Sequence, residues 1–426
     1  MTGVTPSKHL AHAGRALDAA NFFLADVRDG LGPYLAIYLL TEQKWDEASI
    51  GVVMSLATIA GIAAQTPAGA LVDAIRAKRM IMIAAAIIVT AASLALPLMS
   101  SFWPVAISQS IANAAGVIFA PAIAAVSLGI VGARAFTARV GRNESFNHAG
   151  NAVGAVIAGA AAYALGPSAV FYLMAVTSAG SLFSVLAIPE RAIDHDAARG
   201  LSHRTDSAAS DQGSQPSGLG ILLTCRPLLI FAISVALFHL ANAAMLPLVG
   251  QKLALQDKNL GTSLMSACIA AAQLVMVPMA LLVGARADRW GHKRFFLAAL
   301  LILPLRAVLY TLSDDKAWLV GVQLLDGIGA GIFGAIMPVI VADLMRGTGR
   351  FNVAQGAVIT AQSIGAALST ALAGVVVVHA GYSAAFLALG ATAAVGVIVC
   401  WLLLPETKAA EAAHPNAATV PAIPAE

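Results

Sequence analysis

The stretch Gly284-Ala-Arg-Ala-Asp288-Arg289-Trp-Gly291-His-Lys293-Arg294 takes its meaning from its flanks. Apolar runs over 260–284 and 295–313 enclose it. Each approaches or exceeds the roughly 20 residues that a helix needs to cross a ~30 Å hydrocarbon core. Glycine, one acid and a crowd of basic residues between two such runs describe a tight connector at a membrane surface. A second stretch, Gly69-Ala-Leu-Val-Asp73-Ala-Ile-Arg76-Ala-Lys78-Arg79, stands between the apolar runs 48–72 and 80–99.

Composition extends this reading to the whole chain. Of 426 residues, 59% are hydrophobic and 11% charged, against about 25% charged in soluble domains. Mean hydropathy is +0.82. Such a chain cannot cover a water-facing surface, which excludes a soluble enzyme, a nucleic-acid binder and a disulfide scaffold. The three cysteines, Cys225, Cys268 and Cys400, lie far apart in apolar stretches and read as packing residues.

Twelve apolar stretches are expected to span: 16–40, 48–72, 80–99, 103–130, 144–165, 168–188, 225–250, 260–284, 295–313, 317–343, 352–379 and 381–404. They are too long and too weakly alternating for barrel strands, so the expected class is an all-α membrane protein. With the N-terminus inside, nineteen Lys and Arg fall in cytoplasmic segments and four outside, with Arg28 and Arg306 within spans. That bias places both termini in the cytoplasm. The expected organisation is a cytoplasmic segment 1–15, a six-helix bundle 16–189, a flexible cytoplasmic linker 190–224, a second bundle 225–404 and a disordered tail 405–426.

The halves match in order. Gly69, Asp73, Trp103 and Gly116 pair with Gly284, Asp288, Trp318 and Gly331 at an offset of 215. Pro33 pairs with Pro247 and Glu190 with Glu406 within one residue of that offset. A run of matches at one spacing indicates a duplication into parallel repeats.

The 284–294 stretch resembles the G-x-x-x-D-R-x-G-x-[KR]-[KR] loop of the major facilitator superfamily. The 69–79 copy keeps the Gly, the Asp and the basic pair, but has Ala74 and Arg76 where the pattern has a basic residue and the second Gly. The resemblance covers about residues 16–406 and implies a pair of six-helix bundles rocking about a midplane site. It implies a cytoplasmic gate at Gly69, Asp73, Lys78 and Arg79 and at Gly284, Asp288, Arg289, Gly291, Lys293 and Arg294. Physically, glycine lets helices approach closely, an Asp at a helix end can face a neighbouring helix N-terminus, and the basic residues can pair across halves.

Polar groups inside spans are expensive and therefore informative. Asp26, Arg28 and Asp29 lie near the middle of the first span, followed by Gly30, Gly32 and Pro33, which can break the helix. Asp26 or Asp29 is the expected protonatable acid, with Arg28 neutralising the other. Gln109 and Asn113 in the fourth span, His148 and Asn151 in the fifth, His239 and Asn242 in the seventh and Gln362 in the eleventh complete the expected cavity. Asp326 is a further acid candidate or the partner of Arg306. Gln323-Leu-Leu-Asp326-Gly327-Ile-Gly329 resembles the R-x-x-Q-G-x-G motif of the family's proton antiporters, although the matched first-half position is Gln109 and not Arg. Gly150, Gly154 and Gly159 resemble the antiporter motif of the fifth span without its Gly-Pro pair.

No phosphate-binding loop, metal-ligand pair or nucleophile motif is present, so no enzyme activity and no cofactor are expected. The expected function is proton-coupled efflux of a small organic molecule by a monomer in the cytoplasmic (inner) membrane. Uptake by symport and a transport-inactive sensor are the alternatives. Apolar walls with few charges would suit a lipophilic or amphiphilic solute.

Overall fold

A computed structural model describes residues 6–29, 35, 38–39, 42–45, 47–165, 169–201, 220–256 and 261–407. These form helices and no strand. In chain order they are α1 (Pro6–Asp29), α2 (Glu47–Ala74), α3 (Lys78–Ala95), α4 (Phe102–Gly116), α5 (Phe119–Leu165), α6 (Ala169–Leu186), the short α7 (Gly220–Thr224), α8 (Arg226–Asn242), α9 (Met245–Gln256), α10 (Gly261–Trp290), α11 (His292–Leu312), α12 (Lys316–Leu344) and α13 (Phe351–Leu403).

Among the described residues, nine helical stretches are long and apolar enough to cross a membrane. Two of them are too long to cross once. Phe102–Ala158 holds 57 residues, about 85 Å of helix at 1.5 Å per residue. It is interrupted at Gly132, where φ is 69°. Phe351–Leu403 holds 53 and is interrupted at Gly381, where φ is 82°. A positive φ is open to glycine at little cost, so each glycine ends one helix and begins the next.

The helix after Gly132 begins at residue 133, well ahead of the expected 144. Its first turns carry Arg139, Arg142 and Asn143, which a reading by hydropathy leaves in a loop. They are helical because their charges are answered: Asp18 on α1 pairs with both arginines.

Two spans are bent by breaks whose backbone groups are satisfied. Between α8 and α9 the freed N–H of Ala244 donates to Ser369 Oγ on α13 at 3.0 Å. Between α4 and α5 the turn at Val117 is bridged by its N–H to Asn113 O at 3.2 Å. In lipid no such group can be left to water.

The outer faces are apolar. Ile59, Val156, Phe183, Leu274 and Val378 are each more than 60% exposed. Contiguous exposed hydrophobics on this scale suit a surface solvated by acyl chains.

The expected flexible linker is folded over its first part. Residues 190–201 carry short 3-10 turns, and Asp194 Oδ1 accepts the N–H groups of Asp196 and Ala197. Ile193 and Ala198 are buried against the bundle. Two apolar anchors within a polar run explain the difference. Residues 202–219, like the tail from 408, lie outside the described residues.

Candidate functional site

A cavity of about 680 Å³ lies between the helices of the two halves of the chain. Its walls come from α1, α2, α3, α4, α5, α8, α12 and α13. The volume falls within the range of about 300–1,000 Å³ usual for small-molecule sites. Of the expected residues, Gln109, Asn113, His239 and Gln362 line it. His239 packs edge-on against Phe333, with ring centroids 4.8 Å apart, and its Nδ1 faces Val235 O at 3.2 Å.

The lining is more polar than an apolar-walled site. Thr58, Gln65, Ser93, Asn143, Glu144 and Gln355 join the four residues above. Glu144 is the only carboxylate among the described lining residues, and no Lys or Arg is among them. Behind Asn143 stands a relay of bonds. Its Oδ1 accepts from Arg139 Nε at 2.7 Å, its Nδ2 donates to Ser127 Oγ at 2.7 Å, and Arg139 reaches Asp18. Sequence reasoning passed over Asp18. The signal available was that Arg139 and Arg142 are three apart and share a helix face that needs an acid.

Other expected residues lie elsewhere. His148 Nδ1 is 2.9 Å from Gln273 Oε1, tying α5 to α10, and Asn151 is half-buried further along the same helix. Asn242 and Asp326 belong to a buried network. Arg306, with no solvent exposure, donates from Nη1 to Asn242 Oδ1 and Asp326 Oδ1, both at 2.6 Å. Gln323 accepts from Tyr310 at 2.5 Å and donates to Asp326 Oδ2 at 2.9 Å. A charge buried this deeply is held by an ion pair and further hydrogen bonds, here through Nη1 and Nη2 while Nε has no partner. The side chains of Asp26, Arg28 and Asp29, and residues Gly30, Gly32 and Pro33, lie outside the described residues.

One end of the cavity is closed. Beside its lining residues Gln65 and Ile359, Thr66 Oγ1 and Thr360 Oγ1 are 3.0 Å apart. A Cβ on Gly69 would collide with Asn352 O, and one on Gly356 would lie 2.6 Å from Gln65 O. Next comes Asp73, buried at the start of α13. It accepts from Asn352 Nδ2 at 2.7 Å and from the Val353 N–H at 2.8 Å. On the other flank α5 crosses α10 at Gly141 and Gly284, where a Cβ on Gly141 would lie 2.7 Å from Gly284 Cα.

The remaining loop residues act within their own halves and not across them. Lys78 is buried and donates to the carbonyls of Val72 and Ile75, closing the end of α2. Arg79 pairs with Glu190 at 3.1 Å. Asp288 meets His292 Nε2 at 3.0 Å. Lys293 donates to Trp401 O at 2.8 Å, while Glu406 accepts the N–H groups of His292 and Lys293. Gly291 has φ 97°, a conformation that favours glycine, and a Cβ there would also displace the end of the Glu406 side chain. Arg289 and Arg294 are exposed. The expected pairing of basic residues across halves is therefore absent among the described contacts, because carbonyls and carboxylates nearer in the chain take them.

A model of the Major Facilitator Superfamily matches residues 17–281 and 231–425. The chain belongs to this family. It is a multi-pass membrane transporter of the MFS type and not an enzyme. It is 54% identical over 393 residues to an uncharacterized MFS-type transporter of Mycobacterium tuberculosis, in strains CDC 1551 and H37Rv, covering 92% of this chain and 93% of the relative. Among solved MFS structures it superposes on a proton:xylose symporter with a TM-score of 0.71 at 12% identity, covering 95% of this chain and 98% of that one. An outward-conformation MFS transporter, FucP, gives 0.70 at 15%, covering 91% and 97%. A human organic anion transporter gives 0.63 at 16%, covering 93% and 100%. These likenesses show the MFS fold.

Proposed function

We propose that this MFS protein is a proton-coupled secondary transporter of a small organic solute, working by alternating access as a monomer in the cytoplasmic membrane. In this reading it crosses the bilayer twelve times. The nine apolar stretches become eleven when the two long ones divide at Gly132 and Gly381, and α1 with the residues after it supplies the twelfth. The bundles are 16–189 and 225–404, with linker 190–224 and both termini on the side rich in Lys and Arg.

The observation that carries the proposal is a cavity between the halves whose one end is packed shut, among the described residues, by the Asp73 cap on α13 and the glycine crossings. The packed end lies on the side rich in Lys and Arg, which this reading assigns to the cytoplasm, so the conformation is read as the one closed to that side. Rocking the halves would break those few contacts and make others at the far end. Glu144 supplies a carboxylate that can take up and release a proton within reach of the solute. Asp26 and Asp29 remain candidates for the same duty, with Arg28 as neutralising partner.

Uptake by symport is the direction the polar lining favours, since polar solutes do not cross lipid unaided. Antiport efflux is the second reading, favoured by the glycines Gly150 and Gly154 in the fifth span. The test is transport by purified protein in vesicles with an imposed pH gradient. Solute movement that follows the gradient and is lost in Glu144→Gln or in Asp26→Asn with Asp29→Asn supports the proposal. Solute movement indifferent to pH in all of them would end the coupling assignment.

A further inference from the structure

Two amides from opposite halves end at the cavity with hydrogen-bonding capacity unused. Gln109, on α4, is 4% exposed, and its Nε2 has no partner. Gln355, in the first turns of α13, is 3% exposed, and its Oε1 has none. Both line the cavity. Buried polar atoms left unpaired are few in folded proteins and call for a reason. Gln65, Asn113 and Gln362 bring three more amides to the same walls.

We infer that the solute is a neutral, hydroxyl-rich small molecule held between Gln109 and Gln355. This deepens the transporter reading above and rests on it. An idle donor on one wall and an idle acceptor on the other need a ligand that both accepts and donates, and a hydroxyl does both. Both atoms are shielded as they stand, and the last torsion of a glutamine is broad, so turning about it exchanges the amide's two ends and presents each idle atom to the cavity. A lipophile in the same space leaves Gln109 Nε2 and Gln355 Oε1 unpaired. A site built to bond a hydroxyl rejects an analogue without it by about 10⁴–10⁵-fold. An anion would seek a cationic partner, and the described lining contains no Lys or Arg. A cation would find Glu144 and leave the amides unanswered. A row of hydroxyls reaching from α4 to α13 touches both halves at once, so the solute is felt by both bodies that must move.

The test uses the full-length protein purified in detergent, its thermal unfolding followed with glucose, arabinose, mannitol, myo-inositol or glycerol, and with tetraphenylphosphonium as a lipophilic cation. At least one polyhydroxylated solute is expected to raise Tm. Gln109→Ala and Gln355→Ala are each expected to weaken its apparent affinity roughly tenfold, the scale of one hydrogen bond. Gln273→Ala, off the cavity, should leave it unchanged. The Tm without solute shows whether each variant folds, and Gln109→Glu and Gln355→Glu replace any that does not. Stabilisation by tetraphenylphosphonium alone, no shift with any polyhydroxylated solute, or unchanged affinity in both variants overturns the assignment. The two proposals part in vesicles: proton-driven movement of tetraphenylphosphonium without any polyol sinks the solute class and leaves the transporter standing.

Discussion

Asp73 Oδ2 accepts the backbone N–H of Val353 at 2.8 Å, so a carboxylate at the end of α2, in the first half of the chain, caps α13 in the second. The first N–H groups of a helix have no partner of their own, and an anion there gains from the helix dipole as well. If the halves rock as proposed, opening this end would break the contact, and it would then bias a conformational equilibrium more than it stabilises the fold.

Asp73→Ala is expected to weaken the seal by about 1–2 kcal/mol, the usual scale of a lost cap. That shifts the balance of the two access states by roughly five- to thirty-fold. A single cysteine placed at Gln65 should react faster with a membrane-impermeant thiol reagent supplied from the cytoplasmic side. An unchanged rate would remove Asp73 from the gate.

Gly69→Val should act on the same state by sterics, because Asn352 O occupies the space of a Cβ. Transport is expected to fall sharply while the purified protein still unfolds cooperatively. Gly321→Ala, where nothing lies within 4 Å, is the matched control and should transport normally.

Thr66 and Thr360 face each other across the seal with their hydroxyl oxygens 3.0 Å apart. The double variant Thr66→Cys with Thr360→Cys should stop transport on oxidation and recover it on reduction. Full transport in the crosslinked protein would contradict rocking of the halves about the cavity.

Arg306→Met alone strips a buried carboxylate of its partner and should destabilise by about 3–5 kcal/mol. Joint replacement of the pair, Arg306→Met with Asp326→Leu, should recover much of that loss, as buried ion pairs often do when exchanged whole. Thermal unfolding checks both. Transport by the recovered double variant would mark the network as structural, and its loss in a stable protein would mark Asp326 as functional.

Much of the architecture follows from the chain read alone. A membrane-spanning helix must satisfy its own backbone, so hydropathy over some twenty residues reports it locally. The Gly-Asp-basic loops carry their meaning in a few adjacent residues. The matched residues Glu190 and Glu406 do reach the matched loops, at Arg79 and at the N-terminus of α11. Gln109, Asn113, His239 and Gln362 stood out because a polar side chain in an apolar run is rare.

Which polar groups share a cavity was not legible. Glu144 and Gln355 lie close to charged loops in the sequence, and hydropathy assigns them to the membrane edge. They line the cavity because the helix after Gly132 starts at residue 133 and α13 is drawn in by Asp73. Asp18 and Arg139 are separated by 121 residues, and Asp73 and Val353 by 280. The sequence alone determined an all-helical membrane transporter fold, since that depends on each segment's transfer into lipid. Only the tertiary structure decided that Asp73 and not Asp288 bridges the halves, that Asp326 is bound up with Arg306, and that amides from both halves line one cavity. Those outcomes depend on which faces two helices turn toward each other, and one helix's own sequence does not contain its neighbour's register.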